Sequence, residues 1–173
     1  IISNGWNFSV EMETGTGKTY VYLRTIYKLN KLYGFKKFVI VVPSVAIREG
    51  VMKNLEITDE HFQNLYDKVP VTSNVYDSRK VSNLRGFASA NTIQILVINI
   101  DSFAKDENII NKPNDKLTGK KPIEFIQSCN PFVIVDEPQN METEIRKRAI
   151  ANLNPLCTLR YSATHTNLYN LVY

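Results

Sequence analysis

The segment that most constrains the fold of this chain is Met12–Thr19, a loop with two glycines that ends in Gly-Lys-Thr. A short apolar stretch precedes it, and apolar residues at helical spacing follow it from Tyr20 to Tyr33. Such a loop between a strand and a helix is typical of a phosphate site, because glycines let backbone N–H groups point at phosphate oxygens. We therefore predict a nucleotide-phosphate site here, although Met12 replaces the first glycine of the strict pattern. A glycine-rich turn before an ordinary helix is the alternative.

Each residue type in this loop suits one part of a nucleoside triphosphate. The helix N-terminus favours the negative charge of the phosphates. Lys18 is expected to reach the β- and γ-phosphates, and the Thr19 hydroxyl to bind Mg²⁺. The predicted nucleotide contacts are Thr14, Gly15, Thr16, Gly17, Lys18 and Thr19.

A second segment supplies two carboxylates. Phe132–Val135 is a continuous apolar run typical of a strand buried on both faces, and Asp136 and Glu137 follow it. Since ligands bind beyond the carboxyl ends of strands in open α/β sheets, both acids should face the phosphate site. Adjacent residues of an extended chain point opposite ways, so we assign Asp136 to Mg²⁺ and Glu137 to the attacking water. An Asp-Glu pair alone would indicate only a solvated strand end.

The rest of the chain alternates between strand and helix patterns. Strands are predicted at 38–42, 69–75, 93–100, 132–135 and 158–161, and helices at 44–68, 82–90, 122–129 and 142–153. Residues 108–121, rich in Lys, Asn, Asp and Pro, are predicted to form an exposed loop. The alternation predicts an α/β fold, with a mostly parallel sheet flanked by helices on both faces.

Composition fits one globular domain. The 173 residues are 43% hydrophobic and 22% charged, which excludes a disordered chain, and no stretch has the length of a transmembrane helix. Two cysteines without metal-ligand spacing predict reduced thiols and a cytoplasmic location. The +4 net charge is compatible with nucleic acid but does not require it. Because the chain begins with Ile1, we expect a piece of a longer protein.

Several of these motifs carry a family resemblance. Thr14–Thr19, Asp136–Gln139 and Ser162–His165 occur in the order of motifs I, II and III of superfamily 2 helicases. More narrowly, with Val42–Val51 and Asn99–Phe103 included, the chain resembles the restriction (Res) subunit of Type III restriction-modification enzymes.

The resemblance implies that residues 1–173 are a first RecA-like motor domain that binds ATP and Mg²⁺, with a second motor domain and a nuclease domain outside this chain. It implies that Gln139 senses the γ-phosphate, and that Ser162 and Thr164 couple hydrolysis to nucleic-acid binding. The implied enzyme is a DNA-dependent ATPase within a Type III site-specific deoxyribonuclease. Its implied partners are double-stranded DNA and a separate modification (methyltransferase) subunit. The segment alone should turn over slowly or not at all, since arginines of the second domain would be missing.

The segments that resemble motifs Ia and Ib contain Ser44, Arg48 and Ser102. Hydroxyl and guanidinium groups suit contacts to the phosphate backbone, without base reading. The alternatives are a helix cap at Ser44, a solvated charge at Arg48 and a turn residue at Ser102. The basic run Arg146–Arg148 is likewise either a phosphate contact or a solvated helix face.

Three other functions are compatible with the sequence. They are a superfamily 2 helicase without a restriction role, a P-loop kinase and a nucleotide-binding module without catalysis. A kinase also needs an acceptor site and a lid with catalytic arginines, which the sequence does not reveal.

Overall fold

The computed structural model of the chain describes residues 5–13, 15–163 and 171–172, the last two as backbone only. Seven strands of this part form a single sheet in the order β3-β4-β2-β5-β6-β1-β7, with every neighbouring pair parallel. The strands are β1 Trp6–Glu11, β2 Lys37–Val42, β3 Val71–Val75, β4 Ile93–Asn99, β5 Phe132–Asp136, β6 Cys157–Ser162 and β7 Leu171–Val172. The helices are α1 Lys18–Tyr33, α2 Val45–Leu65, α3 Asn83–Ser89, α4 Pro122–Gln127 and α5 Glu144–Asn152.

Helices cover both faces of the sheet, as predicted. Successive residues of β2 alternate between two apolar clusters: Val39 and Val41 belong to one, and Phe38, Ile40 and Val42 to the other. The first cluster includes buried residues of α3, α4 and α5, and the second includes those of α1 and α2. A central parallel strand buried on both faces has to be apolar throughout, which explains the continuous run in this part of the sequence.

Local signals account for the ends of the long helices. The Ser44 hydroxyl accepts a hydrogen bond from the Ile47 N–H at 3.3 Å and so caps α2. That helix ends at Leu65 and not at Lys68, because Asp67 and Lys68 have left-handed backbones with φ of 57° and 55°.

The prediction of an exposed loop at 108–121 was wrong in one respect. Ile110 and Leu117 are fully buried in the core, at two 3₁₀ turns that span Ile109–Asn111 and Asp115–Leu117. Two apolar residues thus anchor an otherwise polar segment, and its average composition concealed them. Within the described residues, no helix is both long enough and apolar enough to span a lipid bilayer.

Candidate active site

Sheet topology brings the predicted site residues to one edge. β6 lies between β1 and β5, with Glu11 in register with Ser162 and Asp136 in register with Tyr161. Since the strands are parallel, their carboxyl ends lie side by side. The segments that follow them are tied together by hydrogen bonds from the Met12 N–H to the Ser162 carbonyl at 2.9 Å and from the Glu137 N–H to the Tyr161 carbonyl at 3.1 Å.

The loop before α1 requires glycine at two positions. Gly15 and Gly17 have φ of 82° and 83°, and a Cβ at either would meet open space, so the need is conformational and not steric. Thr16 closes the turn, with its Oγ1 donating to the Glu13 carbonyl at 2.6 Å. Thr14, a predicted nucleotide contact, lies outside the described residues.

The unusual Met12 has a structural explanation. Its N–H continues the hydrogen bonding of β1 to β6, and its partly buried side chain packs against the core. A side chain at this position therefore adds apolar contact, and among the described residues of the loop the left-handed glycines are Gly15 and Gly17.

Lys18 and the acid after β5 meet directly. Lys18 Nζ lies 2.7 Å from Glu137 Oε1, and the Lys18 side chain is only 10% exposed. The other carboxylate oxygen, Oε2, accepts from Gln139 Nε2 at 2.7 Å, and Gln139 Oε1 accepts from Ser162 Oγ at 2.9 Å. One continuous network thus joins residues of the three predicted motifs. Thr164, the second residue predicted to couple, lies outside the described residues.

The two acids do not follow the simple alternation that the sequence predicted. Glu137 leaves the strand conformation, with φ of 59° and ψ of 54°, and this left-handed backbone is unusual for a residue with a side chain. In consequence both carboxylates contact α1, Glu137 through Lys18 and Asp136 through Tyr22.

Asp136 is held in a buried, polar niche. It is 5% exposed, and the Tyr22 hydroxyl donates to its Oδ2 at 3.0 Å. Burial raises the pKa of Asp136, while the Tyr22 hydrogen bond and the positive charge of Lys18 act against that shift. Burial and the charge of Asp136 raise the pKa of Tyr22, whereas a hydrogen bond with the Thr19 side chain lowers it. Tyr22 therefore holds the buried Asp136 carboxylate against α1.

The oxygen donors of Asp136 and Thr19 suit Mg²⁺ bound together with phosphate, and do not suit a metal ion whose ligands all come from the protein. In the part of the chain that the structure describes, no three His, Cys, Asp or Glu residues come together as a metal cluster. Mg²⁺ in nucleotide sites keeps several waters and uses one or two carboxylates together with phosphate oxygens. Asp136 and the Thr19 hydroxyl are suitable for that role.

A polar cleft of about 690 Å³ lies beyond the carboxyl ends of β3 and β4. Arg48 and Ser102, both predicted to contact a nucleic-acid backbone, line it. Its other polar side chains come from β3 and the segments that follow β3 and β4: Asn74, Tyr76, Asp77, Ser78, Arg79, Lys80, Asn83, Glu107 and Asn108. Ser44 is not among the lining residues, and its hydroxyl caps α2.

Sequence reasoning missed three features of these sites. Tyr22 lay within a helical pattern, and its position in the sequence gave no sign of a contact with Asp136. Arg79 and Lys80 were overlooked although a basic pair in the segment after a strand was a visible signal. Arg146 was considered only as part of a charge run, yet its Nη2 donates to Asp101 Oδ1 at 2.8 Å.

The parallel sheet, the loop before α1 and the acids after β5 define a RecA-like P-loop domain. Solved structures share this fold. The UvsW helicase from bacteriophage T4 matches with a TM-score of 0.54 at 13% identity, over 90% of this chain and 46% of that one. The Type ISP restriction-modification enzyme LlaBIII, solved bound to DNA, matches with a TM-score of 0.57 at 19% identity, over 93% of this chain and 12% of that one.

Sequence comparison identifies the family. The family described as "Type III restriction enzyme, res subunit" matches residues 3–167, and the chain belongs to it. The StyLTI Res subunit of Salmonella typhimurium is 33% identical over 94% of this chain and 18% of the relative. The EcoP15I Res subunit of Escherichia coli is 32% identical over 95% of this chain and 19% of the relative. The chain thus spans about a fifth of the length of these relatives, and the predicted resemblance is confirmed.

Proposed function

We propose that residues 1–173 form the first motor domain of an ATP-dependent DNA translocase, within a Type III restriction endonuclease subunit. The observation that carries the proposal is the network from Lys18 through Glu137 and Gln139 to Ser162. It joins a phosphate loop, a carboxylate suited to act as a base and a strand-end serine, which is the set of parts that nucleotide-driven motors need.

The loop and Lys18 bind and orient the triphosphate of ATP. Backbone N–H groups at Gly15, Gly17 and the start of α1 face the phosphates, and the Lys18 ammonium adds a full positive charge. Asp136 and the Thr19 hydroxyl would hold Mg²⁺, which would neutralise charge on the phosphate oxygens. Phosphate competes with Glu137 for Lys18, because both are anions that need the same donor.

Glu137 orients water and accepts its proton. Its Oε1 becomes available when Lys18 turns to phosphate, while the Gln139 bond to Oε2 at 2.7 Å holds the carboxylate in place. Gln139 in turn accepts a hydrogen bond from Ser162, so loss of the γ-phosphate on hydrolysis alters the contacts of the residue that ends β6.

The cleft beyond β3 and β4 binds the sugar-phosphate backbone of double-stranded DNA. Three cations, Arg48, Arg79 and Lys80, outnumber the two carboxylates of Asp77 and Glu107 that also line it. The remaining polar groups are amides and hydroxyls, which are suited to phosphates. The guanidinium groups of Arg48 and Arg79 pair with Glu49 and Asp77, at 2.8 and 3.0 Å. Ser44 is proposed to contribute through its place at the start of α2.

Other parts of the proposal extend past this chain. In the complete enzyme we place a second motor domain and a nuclease domain beyond this chain, together with a separate modification subunit; the relatives, of which the chain spans about a fifth, are named as Res subunits of restriction-modification enzymes. The isolated domain is expected to bind ATP and turn over weakly, because catalytic arginines come from the second domain. The two cysteines are unpaired, in keeping with the proposed cytoplasmic location.

Translocation by the full-length protein tests this function. We expect ATP-dependent displacement of a third strand from double-stranded DNA, together with hydrolysis that the DNA stimulates. Hydrolysis that double-stranded DNA leaves unchanged, with no displacement, would overturn the motor assignment. Phosphoryl transfer to a small acceptor in place of water would indicate a kinase.

A further inference from the structure

Arg146 joins the candidate ATP site to the DNA cleft through two hydrogen bonds. Its Nη1 donates to the Asn140 carbonyl and its Nη2 to Asp101 Oδ1, both at 2.8 Å. Asn140 belongs to the turn that follows Glu137, and Asp101 belongs to the turn that ends β4. We propose that Arg146 is a positioning residue that couples the nucleotide state to the DNA-contacting segment. This inference rests on the proposed function.

On the nucleotide side, Arg146 holds the far end of the turn that contains the catalytic groups. The Asn140 N–H donates to the Glu137 carbonyl at 3.0 Å, which closes the 3₁₀ turn Pro138–Met141. Glu137 begins that turn with a left-handed backbone and pairs with Lys18. Under the proposed function, its carboxylate exchanges Lys18 for water when phosphate binds. The turn therefore has two electrostatic arrangements, and Arg146 is bonded to it directly.

On the DNA side, Asp101 is tied to the wall of the cleft. Its carbonyl accepts from Asn108 Nδ2 at 3.2 Å, and its N–H donates to Asn99 Oδ1 at 3.0 Å. Asn108 and Ser102, the residue after Asp101, both line the cleft. A displacement of Asp101 consequently changes where the cleft presents its amide and hydroxyl groups.

The two turns that Arg146 connects rest on a rigid base, which a movement passed from one turn to the other requires. Beneath it, Met141, Ile100 and Ile150 are buried in the same apolar cluster, so the two turns and α5 share a close-packed base. A guanidinium presents its donors in a fixed planar fork, which allows one side chain to hold both turns at once. The neighbouring Arg148 is exposed on the same helix and provides a matched control.

A double-mutant cycle in the full-length protein tests the coupling. The variants are Arg146→Ala, Asp101→Ala, their combination and the control Arg148→Ala. For each, we measure the fold-stimulation of ATP hydrolysis at saturating double-stranded DNA and, separately, the Kd for that DNA. Asp101 is 65% exposed, so its variant is expected to fold even if Arg146→Ala does not, and thermal melting verifies this.

The expected result is a loss of stimulation of about two- to thirtyfold in each single variant, the range typical of residues that couple two sites. The double variant should lose no more than Arg146→Ala alone, because Asp101→Ala removes a contact that Arg146→Ala has already removed. The Kd for DNA and the control variant should stay near wild type. Unaltered stimulation in Asp101→Ala, losses that multiply in the double variant, or a defect confined to Kd would each overturn the inference. Absence of stimulation in the wild type would instead overturn the proposed function, and this inference with it.

Discussion

Lys18 and Glu137, which are 119 positions apart in sequence, form an ion pair with 2.7 Å between Nζ and Oε1. The pair brings the lysine proposed to bind phosphate into direct contact with the carboxylate proposed as the base. Because the Lys18 side chain is 10% exposed, the contact is shielded from solvent more than a surface ion pair. Phosphate binding at Lys18 and release of Glu137 are therefore expected to occur together.

The first prediction concerns Glu137. In Glu137→Gln, ATP binding should persist while hydrolysis falls by about 10²- to 10⁴-fold, the usual contribution of a positioned base. Calorimetric titration with ATP and Mg²⁺, beside a steady-state turnover assay, separates these two effects. Glu60→Gln, on the exposed face of α2, is the control. Turnover within a few-fold of wild type in the Glu137 variant would remove the assignment of Glu137 as the base.

The second prediction concerns Tyr22. Removing its hydroxyl in Tyr22→Phe leaves the buried Asp136 Oδ2 without that donor, which should lower the free energy of unfolding by about 1–3 kcal/mol. Urea denaturation followed by circular dichroism measures the change. Tyr33→Phe, at a tyrosine that is 69% exposed, should have little effect. Equal stability of the two variants would show that the Tyr22–Asp136 bond is unimportant for folding.

The third prediction concerns the cleft. Lys80→Ala should weaken DNA binding similarly for all sequences and reduce the slope of log K against log salt by about 1, as expected when one phosphate contact is lost. Fluorescence anisotropy over a salt series measures both quantities. Arg85→Ala is the control, since Arg85 is exposed on α3 and does not line the cleft. The same salt slope in both variants would place the DNA elsewhere.

The fourth prediction concerns pH. Burial raises the pKa of the Cys157 thiol from an ordinary value of 9.0 to about 11. Folding therefore favours the protonated thiol, and the associated stability is complete below pH 9 and lost as the pH rises toward 11. Between pH 9 and 10 this group should account for about 1 kcal/mol of lost stability. Denaturation of wild type and Cys157→Ala across this range should show the smaller loss in the variant, and parallel curves would contradict the prediction.

Much of the fold, and the meeting of the loop before α1 with the acids after β5, could be predicted from local patterns. The side-chain contacts within the candidate site could not. The loop at Gly15–Lys18 and the acids after β5 were recognisable because their chemistry depends on residue type at fixed spacing. The role of Tyr22 depends on the rotation of α1 against β5, which helical periodicity does not determine. The left-handed backbone of Glu137 is likewise a tertiary feature, since a glutamate has no local preference for it.

The cleft was only partly predictable for a related reason. It is assembled from four separate segments, so Arg48 and Ser102 could be named from the motifs they resemble while Arg79 and Lys80 were missed. Arg146 looked like one member of a solvated basic run. Its half-buried position arises because α5 packs against the turn Ile100–Ser102, a contact between segments about 45 residues apart.

The most direct test of the account is steady-state ATP hydrolysis by the full-length protein with saturating double-stranded DNA, compared between Lys18→Ala and Lys28→Ala. Both lysines are on α1, but Lys28 is exposed and far from the phosphate loop. We predict that Lys18→Ala lowers turnover at least ~100-fold, as loss of a principal charge-stabilising donor does, and that Lys28→Ala retains wild-type turnover. Undiminished hydrolysis in Lys18→Ala would contradict the central claim that this loop is the ATP site of a DNA motor.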